Sequence, residues 1–202
     1  MANVNSPFGF SVRQGTGSSP TFENTENGNG GIDYTTAAIY YGDPVIRVGS
    51  GDGTIEQGAN AETVPLAGIF IGCKYLSTSM KKTVWSNYWP GTDVASTAQS
   101  SISAWMVNDP NAQFLAQSDS TGLVQADVGS NLDFQIGTGT AANGFSGAYL
   151  VHGGAVTATK PFRFVSLVLD PPGANGTQTG AYNYAIVAFN NVETKSLTAT
   201  NT

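Results

Sequence analysis

The chain has 202 residues, of which 11% are charged, and its 14 carboxylates outnumber eight lysines and arginines for a net charge of −6 and a pI of about 4.5. Cations so few and scattered exclude a nucleic-acid face, which needs clustered Lys and Arg to displace phosphate counterions, and they exclude attraction to an anionic membrane for the same reason. The single cysteine, Cys73, rules out an intramolecular disulfide, and no apolar run approaches the ~20 residues that cross a bilayer.

The first ten residues, MANVNSPFGF, lack the apolar core of a signal peptide, so the expectation is synthesis and assembly in the cytoplasm. Residues 1–31 read as an extended N-terminal arm. Phe8, Phe10 and Phe22 stand in a field of Ser, Thr, Asn and Gly, and Asn24–Gly31 has the composition of a flexible linker. Such an arm is either disordered or orders on a partner, with the phenylalanines as anchors.

A single β-rich domain is expected over residues 32–192. Ala37–Tyr41 and Val45–Val48 read as short strands separated by the Gly42-Asp43-Pro44 turn. Gly49–Thr54 (GSGDGT) reads as a hairpin turn, because Asp-Gly supplies the positive φ of a primed turn. It lacks the Lys-Ser/Thr of a phosphate loop, and no helical pattern follows it.

Leu66–Gly91 (LAGIFIGCKYLSTSMKKTVWSNYWPG) is the stretch around which the chain is organised. Alternation places Ile69, Ile71, Cys73 and Tyr75 on one face of a strand, with Cys73 a buried structural thiol. Ser77–Lys82 is a connection of hairpin length. The returning segment, rich in β-formers, carries Trp85, Tyr88 and Trp89 and ends at Pro90-Gly91. These aromatics pack a core or, alternatively, stack on a sugar.

Further along, Ile102–Val107 alternates, with Trp105 and Val107 opposite Ile102, Ala104 and Met106. Ala112–Gln117 and Leu132–Ile136 are strands, Leu123–Val128 one or two helical turns, and residues 137–147 a Gly-rich loop free of ionisable side chains. That loop leads to Ala148–Val151. Pro161–Asp170 carries apolar residues on both faces and reads as a strand covered on both sides. Tyr182–Phe189 is the last long strand, and residues 193–202 read as a flexible tail. No amphipathic helix of ~12 residues appears. The expected fold is all-β: a sandwich, jelly roll or β-tulip-like domain.

No catalytic constellation stands out. His152 is the chain's one histidine, so a multi-histidine metal site is excluded. No G-x-S-x-G elbow surrounds a serine. Asp43, Asp52, Asp93, Asp109, Asp127, Asp133 and Asp170 mostly neighbour Gly, Pro or Asn, as turn carboxylates do, and none opens a D-x-[DN]-x-[DN]-G calcium loop. The expectation is a non-enzyme with no cofactor and no metal.

Asn5–Phe10 (NSPFGF), Tyr41–Val45 (YGDPV), Gly68–Tyr75 (GIFIGCKY) and Ser86–Gly91 (SNYWPG) stand in order along the chain. Val107–Pro110 with Phe114, Asp127–Asn131 (DVGSN) and the Gly-rich loop to Ser146-Gly147 follow. Together, from about residue 5 to 190, the chain resembles small structural proteins of tailed bacteriophages: capsid decoration, or cement, proteins and allied virion components. Asp52–Thr54 followed by Pro65–Ile69 is similar to lambda-type head-stabilising proteins. The end, FNNVETKSLTATNT, departs from the pattern.

The resemblance implies a homotrimer on the outer surface of an icosahedral head, at three-fold and quasi-three-fold positions. There it would bridge copies of the major capsid protein after shell expansion. The expected contacts are the arm, through Phe8, Phe10 and Phe22, and the hairpin, through Trp85, Tyr88 and Trp89. The alternative is a carbohydrate-binding or host-adhesion module of the virion, using the same three hairpin aromatics.

Overall fold

A computed structural model describes residues 3–14, 21–24, 31–48, 53–60, 64–95, 101–153, 158–169 and 179–195. Its strands are β1 (Ser11–Gln14), β2 (Thr21–Asn24), β3 (Pro44–Arg47), β4 (Ile55–Gln57), β5 (Gly68–Leu76) and β6 (Thr83–Ser86). They continue with β7 (Ser103–Val107), β8 (Gln113–Gln117), β9 (Asn131–Gln135), β10 (Tyr149–Val151), β11 (Phe162–Leu167) and β12 (Tyr184–Phe189). Leu123–Val128 is reduced to one 3-10 turn at Gln125–Asp127. No helix among the described residues is long and apolar enough to cross a membrane.

The strands form two antiparallel sheets. The first runs β1-β8-β12-β11-β9-β10. The second runs β2-β7-β5-β3-β4, with β6 paired to the far half of β5. The all-β expectation holds in its sandwich form.

Period-two patterning builds the space between the sheets. Val12, Phe114, Val187 and Phe164 stand opposite one another across β1, β8, β12 and β11, which puts four apolar side chains in one inward row. Leu132, Phe134, Leu150, Phe162 and Phe189 fill the same core, and Ile69 and Val107 enter it from the second sheet. Phe162 stacks on Phe10 at 4.3 Å and 11°.

The second sheet is buried on its other face as well. Ile32, Ile39, Val45, Ile55, Phe70, Cys73, Tyr75, Trp89, Ala104 and Met106 form a separate core beneath it. Ala37–Tyr41, expected as a strand, instead supplies part of this cover through single bridges, Ile39 to Trp89 and Tyr41 to Phe145.

A bulge corrects the reading of β5. Phe70 stands opposite Met106 and Gly72 opposite Trp105, which leaves Ile71 as an extra residue. An extra residue reverses the parity of everything after it. Ile69 and Ile71 therefore pack against the first sheet, whereas Cys73 and Tyr75 join Phe70 in the second core.

The N-terminal segment is not an appendage where it is described. β1 edges the first sheet on β8, and β2 edges the second on β7. Phe10 is 1% exposed. Its N–H donates to Gly42 O at 2.9 Å, and the Gly9 N–H donates to Ala148 O at 3.1 Å. Gly9 takes φ +78°, and a Cβ there would lie 2.7 Å from Ser146 Cβ. Glycine is the residue that permits both the conformation and the approach. Residues 15–20 and 25–30 of the expected arm lie outside the described residues.

Two further boundaries move. β11 buries Phe162 and Phe164 but leaves Arg163 exposed and Val165 half-buried, so it is covered on one side and not two; Leu169, beyond its end, is exposed. The expected tail is docked as far as Lys195: Glu193 pairs with Arg47 at 3.2 Å, and Thr194 Oγ1 donates to Asn108 O at 2.8 Å.

Candidate functional site

The hairpin of β5 and β6 carries the most exposed large aromatic side chain among the described residues, Trp85, at 68%. Residues 66–91 contain Lys74, Lys81 and Lys82 and no carboxylate, so the hairpin is a cationic element of an acidic chain. The register explains how its aromatic surface forms. Gly72 of β5 pairs with Trp105 of β7, and Lys74, two residues on, pairs with Trp85 of β6. All four occupy one face of the sheet. Gly72 has no side chain to stand between the two flanking strands. The indoles of Trp85 and Trp105 stack across this face, 5.1 Å apart at 21°. The Lys74 ammonium sits 5.6 Å from the Trp85 ring centre, within cation–π range.

This face is the continuation of the one that Ile69 and Val107 bury against the first sheet. Beyond Ile71 the first sheet no longer covers it. What remains is a shallow apolar groove of about 400 Å³ along Ile71, Gly72, Trp85, Asn87 and Trp105.

The hairpin is held stiffly. Asp93 accepts hydrogen bonds from Ser77 Oγ (2.5 Å), Thr78 Oγ1 (2.7 Å), and Ser79 N–H (2.8 Å) and Oγ (3.0 Å). These bonds, with Ser77 and Thr78 the largest causes, hold the Asp93 carboxyl well below the usual carboxylate range. Cys73 is buried beneath the hairpin and donates its S–H to Tyr88 O at 3.3 Å. Burial pushes its thiol up to about 12. Burial, then the neighbouring Cys73, Tyr88 and Asp93, push the Tyr75 hydroxyl up to about 12. The Asn87 amide donates to Asn143 O at 2.8 Å, which ties the tip of the Gly-rich loop to the hairpin.

The six expected contact residues fare differently. Trp85 is displayed. Tyr88 is half-buried and stacks on Tyr40 at 5.8 Å and 8°. Trp89 is fully buried, edge-on to Tyr75, and Phe10 lies in the main core; neither ring faces a partner. Both are corrected to core residues, because the segments that carry them close over the two sheets. Phe8 is half-buried, edge-to-face with Tyr184 at 5.6 Å. Phe22 stands opposite Met106 on edge strand β2. Trp105 is the partner that sequence reading left out. Its place on one side of the strand with Val107 was legible, but not that the first sheet ends before reaching it.

Elsewhere, the turn aspartates serve as expected. Asp43 is buried. Its Oδ2 accepts from Tyr40 N–H (2.8 Å) and Gln57 (2.7 Å), and its Oδ1 accepts from Ser146 Oγ (2.5 Å). Desolvation raises its pKa against the lowering effect of these bonds. His152 lies 3.5 Å from Asp127. Asp52 and Asp170 lie outside the described residues.

No family model, no curated protein and no solved structure matches this chain.

Proposed function

We propose that the chain is a structural virion protein that decorates the outside of a tailed-phage head and holds capsomers together. In this reading it acts as a homotrimer at three-fold and quasi-three-fold positions on the major capsid protein. The observation that carries the reading is the Trp85–Trp105 surface: a stacked aromatic pair on a braced, lysine-bearing hairpin, left open beside a well-packed sandwich. Tryptophan is among the residue types enriched at the energetic centres of protein interfaces. The ordered similarity to phage decoration proteins supplies the class of partner.

The mechanism is mechanical. Each contact buries an area on the order of 1,600 Å². A trimer that grips several subunits gains effective concentration for every contact after the first. Lys74, Lys81 and Lys82 favour an acidic rim on the shell, so binding weakens as salt screens the pairing.

Co-sedimentation with expanded, undecorated heads, followed by electron microscopy, tests this reading. Saturable binding with density at three-fold positions is expected, and Trp85→Ala should abolish most of it while the protein stays folded. No binding at micromolar protein overturns the reading. Unchanged binding of Trp85→Ala removes the hairpin from the contact.

A further inference from the structure

A second cavity, of about 410 Å³, opens where the N-terminal segment, the end of β8, the Gly-rich loop and β10 meet. Tyr149 and Tyr182 line it, with Asp119, Asn5, Ser120 and Thr138. We propose that this cavity binds a neutral saccharide unit, with the tyrosine rings against the sugar's C–H face and Asp119, Asn5, Ser120 and Thr138 meeting its hydroxyls. The site is separate from the Trp85–Trp105 surface and does not rest on the decoration reading.

Tyr182 points to a built site. It takes φ +59°, a conformation that costs a bulky residue energy and persists only where its surroundings fix it. Its N–H donates to Asp119 O at 2.9 Å, and its C=O accepts from Gln117 Nε2 at 3.0 Å. The next residue, Asn183, accepts from Ser118 Oγ at 2.7 Å and Leu123 N–H at 3.1 Å, and donates to Leu123 O at 2.8 Å. Gln117, Ser118 and Asn183 are each 1% exposed. A satisfied buried polar network therefore backs the cavity and holds the Tyr182 backbone in place. The same Gln117 fixes the opposite wall, donating to Val4 O at 2.8 Å and accepting from Ser6 N–H at 2.9 Å.

The lining chooses the ligand class. Among the described residues it contains no Lys, Arg or His, which disfavours anions. Its one carboxylate is largely engaged: Asp119 Oδ1 accepts from Thr121 and Gly122 N–H, and Oδ2 accepts from His152 N–H at 3.0 Å. That leaves acceptor capacity for a hydroxyl but a poor counter-ion for a free ammonium. Two aromatic rings with several hydroxyls and an amide form a pocket of mixed apolar and polar character, as a sugar presents.

The test is amide-resolved NMR titration of the full chain with maltotriose, cellotriose, lactose and N,N′-diacetylchitobiose, beside inorganic phosphate and choline. At about 10 mM even a millimolar Kd registers. At least one sugar should shift the amides of Asn5, Ser120, Thr138, Tyr149 and Tyr182. Tyr182→Gly keeps the backbone angle without strain, so it should melt no lower while weakening that sugar about tenfold. Tyr149→Phe, which keeps the ring, gives the second readout and should weaken it less. The proposal is overturned if no sugar shifts these amides, if phosphate or choline binds there in preference, or if both variants bind as the parent does. Head binding by Tyr182→Gly should be unchanged, so the two readings fail separately.

Discussion

Trp85 and Trp105, on strands that flank β5 from opposite sides, stack 5.1 Å apart across the face that Gly72 and Lys74 share. A Cβ at Gly72 would lie 3.0 Å from Ser86 O, against the backbone of β6. Gly72→Val should therefore push β6 away and part the indoles. The expected cost is about 1–3 kcal/mol in denaturant unfolding, with a changed near-ultraviolet dichroism of the tryptophans. Trp85→Ala should cost less than about 1.5 kcal/mol, since the ring is mostly in water. A larger loss for Trp85→Ala than for Gly72→Val would contradict the packing described.

Phe10 and Phe8 sit two residues apart and should behave differently. Phe10 is stacked inside the core, so Phe10→Ala should cost about 3–5 kcal/mol. Phe8 touches the sheet edge-on, and Phe8→Ala should cost no more than about 1.5 kcal/mol. Deletion through Gln14 should leave a chain without a cooperative melt. A truncated protein that still melts sharply near the parental temperature would restore the idea of a detachable arm.

Asp93 and Asp43 should pull acid stability in opposite directions. Asp93 has a folded pKa below its unfolded value, so its contribution is present above about pH 4 and lost as pH falls toward the folded pKa. Asp43 has a raised folded pKa, so its contribution is fullest below about pH 4 and lost as pH rises through the folded value. Asp93→Asn should flatten the acid limb of a melting-temperature profile, and Asp43→Asn should steepen it. The reverse pair of results would invalidate both assignments.

Cys73 should resist alkylation in the native protein, because its thiol is buried and pushed up to about 12. Its modification by iodoacetamide should follow global unfolding across a denaturant series. Rapid labelling in native buffer would show that the hairpin opens on its own.

The strands were legible where alternation was long and uninterrupted, as in Ile102–Val107 and in Tyr182–Phe189 from Tyr184 on. Sequence reading failed where a non-local event set the outcome. The bulge at Ile71 reverses a parity that period-two reading assumes constant. Phe10, set among polar neighbours in the expected arm, looks like a residue of a loose end, yet distant strands bury it. Of the aromatic surface, Trp85 was visible as a candidate, but its partnership with Trp105 depends on the pairing of three strands, which no local window contains. The strained Tyr182 left no signal at all, since a positive φ in a bulky residue is imposed by Gln117, Asp119 and Asn183 from outside.

The placement of β1 and β2 has a consequence for how the molecule is made. These two strands leave the ribosome well before their partners: β2 must wait for β7 at Ser103–Val107 and β1 for β8 at Gln113–Gln117. Closing such long loops before any contact rewards it makes for slow folding. Neither β1 nor β2 can pair until its partner strand, about 80 to 100 residues later, has been synthesised. Until then, partly formed sheets present open edges to neighbouring nascent chains, and crowding on a polysome becomes the hazard this topology has to survive.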